Sequence, residues 1–230
     1  MSDVLIFRTP IIVDGRGVQT GDFGLALGAR SGKAEVIARS DFTVLRATYP
    51  HARVRNVGPV TTRFANSHTH LDLSTYPLIE GEFEQFVRAL ADYRVAQPGA
   101  RGLAAAASGM RQMLSQQSTA LGDIVTREPV MRAELEHSPL AGVAYWEVVC
   151  THQSDAHTAL NALLPHLHAW QDLQRPGGPV VGLSPHSPYL VCKDMLQALA
   201  RLSRDEGIPL QIHVGESPAE MAFFQTGGGP

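Results

Sequence analysis

Two textures of hydrophobic patterning meet near residue 60. Ahead of it, short apolar runs at 4–7, 11–13, 23–27 and 34–38 are separated by Asp14-Gly15, Gly28 and Ser31-Gly32, the punctuation of hairpins. Residues 1–60 are therefore expected to form a small antiparallel β domain. Over residues 61–230, strand-like apolar runs alternate with helical periods: strand 62–67, helices within 81–117, strand 122–126, helix 129–136 and strand 141–149. The alternation continues with helix 155–173, strand 179–184, helix 193–206, strand 209–214 and a helix from Pro218. Phe83, Phe86, Val87, Leu90 and Ala91 follow the one-face spacing of a buried helical stripe. Leu196, Leu199 and Leu202 do the same, with Arg201, Arg204 and Asp205 outward. Leu160, Leu163, Leu164, Leu167 and Trp170 form a third stripe, in which Pro165 should kink the helix or mark its start. Five consecutive βα units imply parallel strands covered by helices, in a doubly wound sheet or a (β/α)8 barrel.

Composition narrows the partners. With 230 residues, 44% hydrophobic and 18% charged, the chain has room for a real core and is too apolar to stay disordered. Nineteen Lys and Arg against 22 Asp and Glu give a net charge of −3 with no basic block, which argues against a nucleic-acid partner. The N-terminus carries Asp3 where a secretion signal needs bases. The most apolar later stretch, 139–150, contains Glu147 and is too short to span a membrane. A soluble, cytoplasmic protein is expected. Cys150 and Cys192 fit no Cys-x-x-Cys spacing, so they are expected as buried free thiols in a reducing compartment.

The histidines carry the chemistry. In Asn66-Ser67-His68-Thr69-His70, strand alternation points His68 and His70 to one face, where two imidazoles can reach one ion, though a lone pair of this kind also fits a bare surface. In Gln211-Ile212-His213-Val214-Gly215-Glu216, a strand runs into a histidine, and Gly215 lets the backbone turn so that Glu216 comes back toward it. The pair reads equally as a ligand beside an acid/base group or as a strand-end histidine capping a carbonyl and a solvated carboxylate opening the next helix. In Ser184-Pro185-His186-Ser187-Pro188-Tyr189, two prolines stiffen a loop around His186. Three strand ends thus place histidines at one mouth, where parallel α/β folds keep their active sites. Glu147 interrupts an apolar strand, and an unpaired carboxylate there is costly, so it either faces the mouth and binds substrate or pairs with an arginine. Asp72 is a candidate for orienting a ligand imidazole. His152, His157, His166 and His168 are expected on solvated helical surface.

These three motifs, in this order and spacing and behind a small β domain, resemble the amidohydrolase superfamily, in the branch of cytosine, guanine, S-adenosylhomocysteine and aminodeoxyfutalosine deaminases and chlorotriazine hydrolases. The resemblance implies a (β/α)8 barrel with His68, His70 and His213 as ligands of one Zn2+ or Fe2+, Glu216 as proton shuttle and His186 against a small-molecule substrate. It implies hydrolysis of a carbon–nitrogen bond other than a peptide bond, as in deamination of an aminated heterocycle. The family's barrel has eight strands, with a histidine at strand 6 and a metal-binding aspartate at strand 8. Here the expected strands end at the fifth, and three more units need on the order of another 100 residues. The resemblance therefore also allows a non-catalytic remnant, or a part that works as an oligomer or with a complementing chain. Thr62-Arg63-Phe64 stands where relatives carry a Pro-Gly turn, which affects the start of the strand and not the ligands.

Overall fold

Pro10 has no N–H to give a sheet, and strand β1 (Leu5–Asp14) slips register between Thr9 and Ile11, on either side of it. The Thr9 hydroxyl fills the gap, its single hydrogen shared between the carbonyls of Ile11 and Gly58, both at 2.8 Å. A computed structural model of the chain describes residues 4–30, 33–77, 81–96 and 99–228, divided into two compact units, Met1–Arg63 and Phe64–Pro230. In the first, β1 pairs antiparallel with β2 (Gly17–Arg30), and β2 with β3 (Lys33–Asp41). Helix α1 (Phe42–Thr48) then carries the chain back, so that β4 (Arg53–Asn56) and β5 (Val60–Thr61) run parallel to β1. The sheet is thus mixed where an antiparallel one was expected, because a helical crossover restores the strand direction. Ile6, Ala26 and Leu45 form its core. The expected Ser31-Gly32 turn lies outside the described residues.

The second unit opens with β6 (Ala65–Thr69) and a 3-10 turn at Leu71–Leu73, followed by α2 (Phe83–Ala96) and α3 (Gly99–Ser115). It continues through β7 (Ala120–Val125), α4 (Glu128–His137), β8 (Ala141–Val148), α5 (Ala156–Gln171), β9 (Pro179–Pro185), α6 (Lys193–Glu206) and α7 (Pro218–Thr226). The strands are all parallel in the order β6-β7-β8-β9, the arrangement of a partial (β/α)8 barrel. Met131, Leu135, Leu167, Leu183, Met195 and Leu199 join its fully buried core, where helix stripes meet the outer sheet face. Gly122 allows β6 to approach β7: a Cβ there would overlap the Ser67 carbonyl oxygen.

Several expectations change. Strand 209–214 reduces to one bridge, Leu183 to Leu210, with Leu183 N–H donating to Pro209 O at 2.9 Å and Gln211 N–H to Leu183 O at 3.0 Å. Among the described residues this segment has a backbone neighbour on one side only, so a ladder does not propagate. Helix α5 runs through Pro165 without ending, because the ring and the Asn161 carbonyl it leaves without a donor lie on the exposed side. The α2 stripe is only half-buried, with Val87 at 42% exposure and Ala91 exposed. β6 begins at Ala65 and not at Thr62, whose N–H instead donates to Val13 O in the first unit's sheet. Cys150 and Cys192 are free thiols, distant in sequence yet adjacent in space: each sulfur lies 3.6 Å from the His152 carbonyl oxygen. Among the described residues no helix is long and apolar enough to cross a membrane.

Candidate functional site

The C-terminal ends of the parallel strands are knitted by backbone bonds. His186 N–H donates to Val148 O at 2.9 Å, and His213 N–H donates to His186 O at 3.1 Å. Within β6 the register against β7 breaks between Asn66 and Thr69, the stretch that carries His68. His68, His70 and His213 are brought together so that one ring nitrogen from each lies within 4.8 Å of the others. Their ring centroids are 4.9 to 5.6 Å apart. Glu147, His186 and His213 meet the same criterion, making His213 the member common to two clusters.

Protonation states follow from partners. His213 Nδ1 faces the His186 carbonyl at 2.8 Å, and since a carbonyl only accepts, Nδ1 carries a hydrogen and Nε2 is the nitrogen left to face the cluster. Burial pushes the His70 imidazole down to about 4 and lowers His68 as well, so both rings are neutral at pH 7. His70 Nδ1 is buried and has no hydrogen-bond partner. Three imidazoles, one with Nδ1 engaged by a carbonyl and one with an orphaned buried nitrogen, are a donor set that fits a divalent transition metal.

Beside this cluster, His186 Nδ1 lies 2.7 Å from Glu147 Oε1, and Arg94 lies 3.5 Å from the other carboxylate oxygen. The hydrogen bond to Glu147 raises His186, outweighing its burial. Burial pushes the Glu147 carboxyl up, but the bond from His186 and the Arg94 charge hold it below the ordinary value. The arginine partner and the mouth-facing position, offered as alternatives from the sequence, are thus realised together. Glu216 follows Gly215, whose φ of +76° makes the turn, and its Oε2 accepts a hydrogen bond from Tyr189 OH at 3.0 Å. Glu220 fastens the backbone there, its carboxylate accepting Glu216 N–H at 2.6 Å while Ser217 caps α7.

Asp72 is not turned to a histidine. It accepts from Thr126 Oγ1 at 3.1 Å and lies 3.7 Å from Arg127 Nε. His152, His157, His166 and His168 are exposed and outside both clusters. A cavity of about 320 Å³ between β8 and α5, walled by Trp146, Trp170 and Met195, touches Glu147 but neither the β6 histidines nor His213. Sequence reasoning gave no role to Tyr189, although it ends the quoted Ser-Pro-His motif, and none to Arg94, which sits in an ordinary amphipathic helix without a distinguishing signal.

Residues 61–229 match the amidohydrolase family. The aminodeoxyfutalosine deaminase of Deinococcus radiodurans is 37% identical over 187 residues, which are 81% of this chain and 44% of that protein. The aminofutalosine deaminase of Helicobacter pylori has a similar fold, with a TM-score of 0.74 at 20% identity over 100% of this chain and 53% of that one. An adenosine deaminase from Xanthomonas campestris with bound zinc gives 0.67 at 15% identity, covering 98% of this chain and 53% of that one. The chain spans about half the length of these relatives. Members of the family generally depend on a divalent metal. A family match across most of the sequence, a relative at 37% identity and the shared fold have one reading in common: the chain belongs to the amidohydrolase family.

Proposed function

We propose that this chain carries the metal-holding part of a hydrolase that deaminates an aminated heterocycle or nucleoside-like small molecule. The observation that carries this reading is the convergence of His68, His70 and His213 within 4.8 Å. Those three residues would hold one Zn2+ or Fe2+, which supplies Lewis acidity that brings the pKa of water from about 15.7 toward 7. Glu216, steadied by the Tyr189 hydroxyl, takes one proton of the attacking water and delivers it to a ring nitrogen of the substrate, then takes the proton of the newly added hydroxyl and delivers it to the amino group, which leaves as ammonia as the carbonyl forms. His186, its Nδ1 bonded to Glu147, turns Nε2 to a polar group of the substrate, and Glu147 with Arg94 fixes that orientation. Free thiols at Cys150 and Cys192 suit a reducing cytoplasm.

A second reading, favoured by the half-length span, is that catalysis needs a complementing segment, from a longer chain or a partner. Ammonia release from aminodeoxyfutalosine, guanine and adenosine decides between them. It is measured on the 230-residue chain alone and joined to the C-terminal part of the Deinococcus radiodurans relative. Activity in the joined form alone supports the second reading. Inactivity of both forms toward every aminated heterocycle counts against deamination. In the active form, Glu216→Gln is expected to lower turnover by about 10² to 10⁴ with metal content unchanged.

A further inference from the structure

Behind the histidine cluster lie two carboxyl groups that no step above uses. Asp123, on β7, is completely buried, and Glu134, on the inner face of α4, is 3% exposed. Each raises the cost of ionising the pair, since the two buried carboxyls lie close enough to interact. Asp123 Oδ2 and both Glu134 oxygens are buried with no hydrogen-bond donor directed at them. Two ionised carboxylates cannot face one another in a dry interior, so the contact holds one proton between them. The charge of Asp72, also acidic, makes a second ionisation harder still.

Such a pair contributes little to stability, since apolar residues of similar volume do as well in a core. What it supplies is direction. Asp123 Oδ1 accepts the backbone N–H of Leu71 at 2.7 Å. Leu71 follows His70 and opens the 3-10 turn, at the point where the chain has left the β6 ladder. Glu134, through the shared proton, fixes the rotamer of Asp123, and Asp123 fixes the peptide that joins His70 to Leu71.

We infer that Asp123 and Glu134 are positioning residues that hold His70 in the histidine cluster by anchoring the Leu71 amide, with Glu134 acting through Asp123. This rests on the metal-binding reading of the cluster. Two neighbouring features agree with it. Leu71 is itself buried, and Gly109 of α3 packs so closely on Leu71 and Ser74 that a Cβ there would overlap the Ser74 hydroxyl, so the turn is held from both sides.

The test uses the 230-residue chain loaded with zinc or cobalt, reading zinc affinity by chelator competition and the visible spectrum of bound Co2+. Asp123→Ala is expected to weaken zinc binding about 10- to 100-fold, the usual effect of losing an outer-shell partner, and to alter the Co2+ bands. Asp123→Asn keeps an oxygen for Leu71 and offers an amide N–H to Glu134, so it is expected to stay within about twofold of wild type. Glu134→Gln should do likewise. Glu134→Leu, matched in volume, leaves Asp123 without its proton-sharing partner; it should weaken zinc binding by about threefold to tenfold and keeps the test decisive should Asp123→Ala not fold.

Wild-type affinity and Co2+ bands in both Asp123→Ala and Glu134→Leu overturn the inference while leaving the metal reading in place. Equal losses in Asp123→Asn and Asp123→Ala also overturn it, because then the amide acceptor is not what matters. Should wild type bind no more zinc than a His68→Ala, His70→Ala double variant, the metal reading fails and takes the inference with it.

Discussion

On the sheet of the first unit, Arg8 meets Asp22 at 2.7 Å and Arg39 meets Asp14, with the side chains of all four reaching solvent. The hydrogen bonds from the arginines hold both aspartates below their ordinary values. In the second unit, burial pushes the carboxyls of Asp72, Asp123 and Glu134 the other way, and Asp72 has Arg127 within ion-pair reach. Both arrangements place acidic side chains on or beside a sheet. The first is satisfied by water and an opposite charge and is worth little energetically. The second is tolerable only with a proton or a hydrogen-bond donor supplied, so the fold must hold those groups in one geometry. Cost of burial, more than number of charges, separates scaffold from site.

The largest effect expected across this divide comes from the histidines themselves. The His68→Ala, His70→Ala double variant should fall from about one metal ion per folded chain to nearly none, measured by metal analysis of purified protein. Equal metal content in both proteins removes the site from the second unit altogether.

Next comes the pH response of the buried pair. Burial pushes Glu134 from 4.5 up to about 7. Across that window the folded pair keeps a proton that the unfolded chain has released, so the pair's contribution is fullest below about pH 4.5 and falls as pH rises toward 7. Glu134→Gln has no such proton to lose. Its stability relative to wild type should therefore climb with pH, by up to about 3 kcal/mol, in denaturant unfolding at pH values spaced from 4.5 to 7. A flat difference means that the carboxyls are solvated.

Two smaller effects sharpen the contrast. Gly122→Ala drives a methyl into the Ser67 carbonyl and is expected to cost about 1 to 3 kcal/mol, whereas Gly15→Ala, with nothing within 4 Å of its Cβ, should stay within about 0.5 kcal/mol. Smallest of all, Asp22→Asn should leave the melting temperature unchanged at pH 7. Ionised Asp22 adds only what a fully solvated pair can, present above its ordinary pKa and lost as pH falls. A clear drop in melting temperature refutes the view of that pair as scaffold decoration.

Much of the second unit was legible from period alone. Helix α6 runs over Lys193–Glu206, the span its leucine spacing indicates, and β8 and β9 fall within a residue of their apolar runs. Strand alternation explains why His68 and His70 share a face. What the pattern hid depends on neighbours. Residues 209–214 are as apolar as a strand, yet a strand requires pairing, and composition does not say who pairs. Asp123 and Glu134 escaped notice for the opposite reason: each is one acid inside a correctly recognised apolar element. The cost argument applied to Glu147 applies to them equally. Glu134 shares its buried face with Val130, Met131 and Leu135, a position where a carboxyl needs a reason.

The weak fifth segment also says how the mouth breathes. Gln211 Nε2 reaches the Ser67 carbonyl at 3.2 Å, and with the backbone bonds of Gln211 and His213 and the His213 Nδ1 bond to the His186 carbonyl this is what fastens residues 211–214 among the described residues. His68 and His70 sit beside a strand laddered to β7, whereas His213 rides on a segment that opens by breaking a few hydrogen bonds. Amide exchange there should be fast relative to β7 and β8. On the proposed metal-holding role of the histidines, the rate at which an ion escapes would be set by local opening around His213, so residence time and affinity would be tuned separately, at Gln211 and at the three imidazoles.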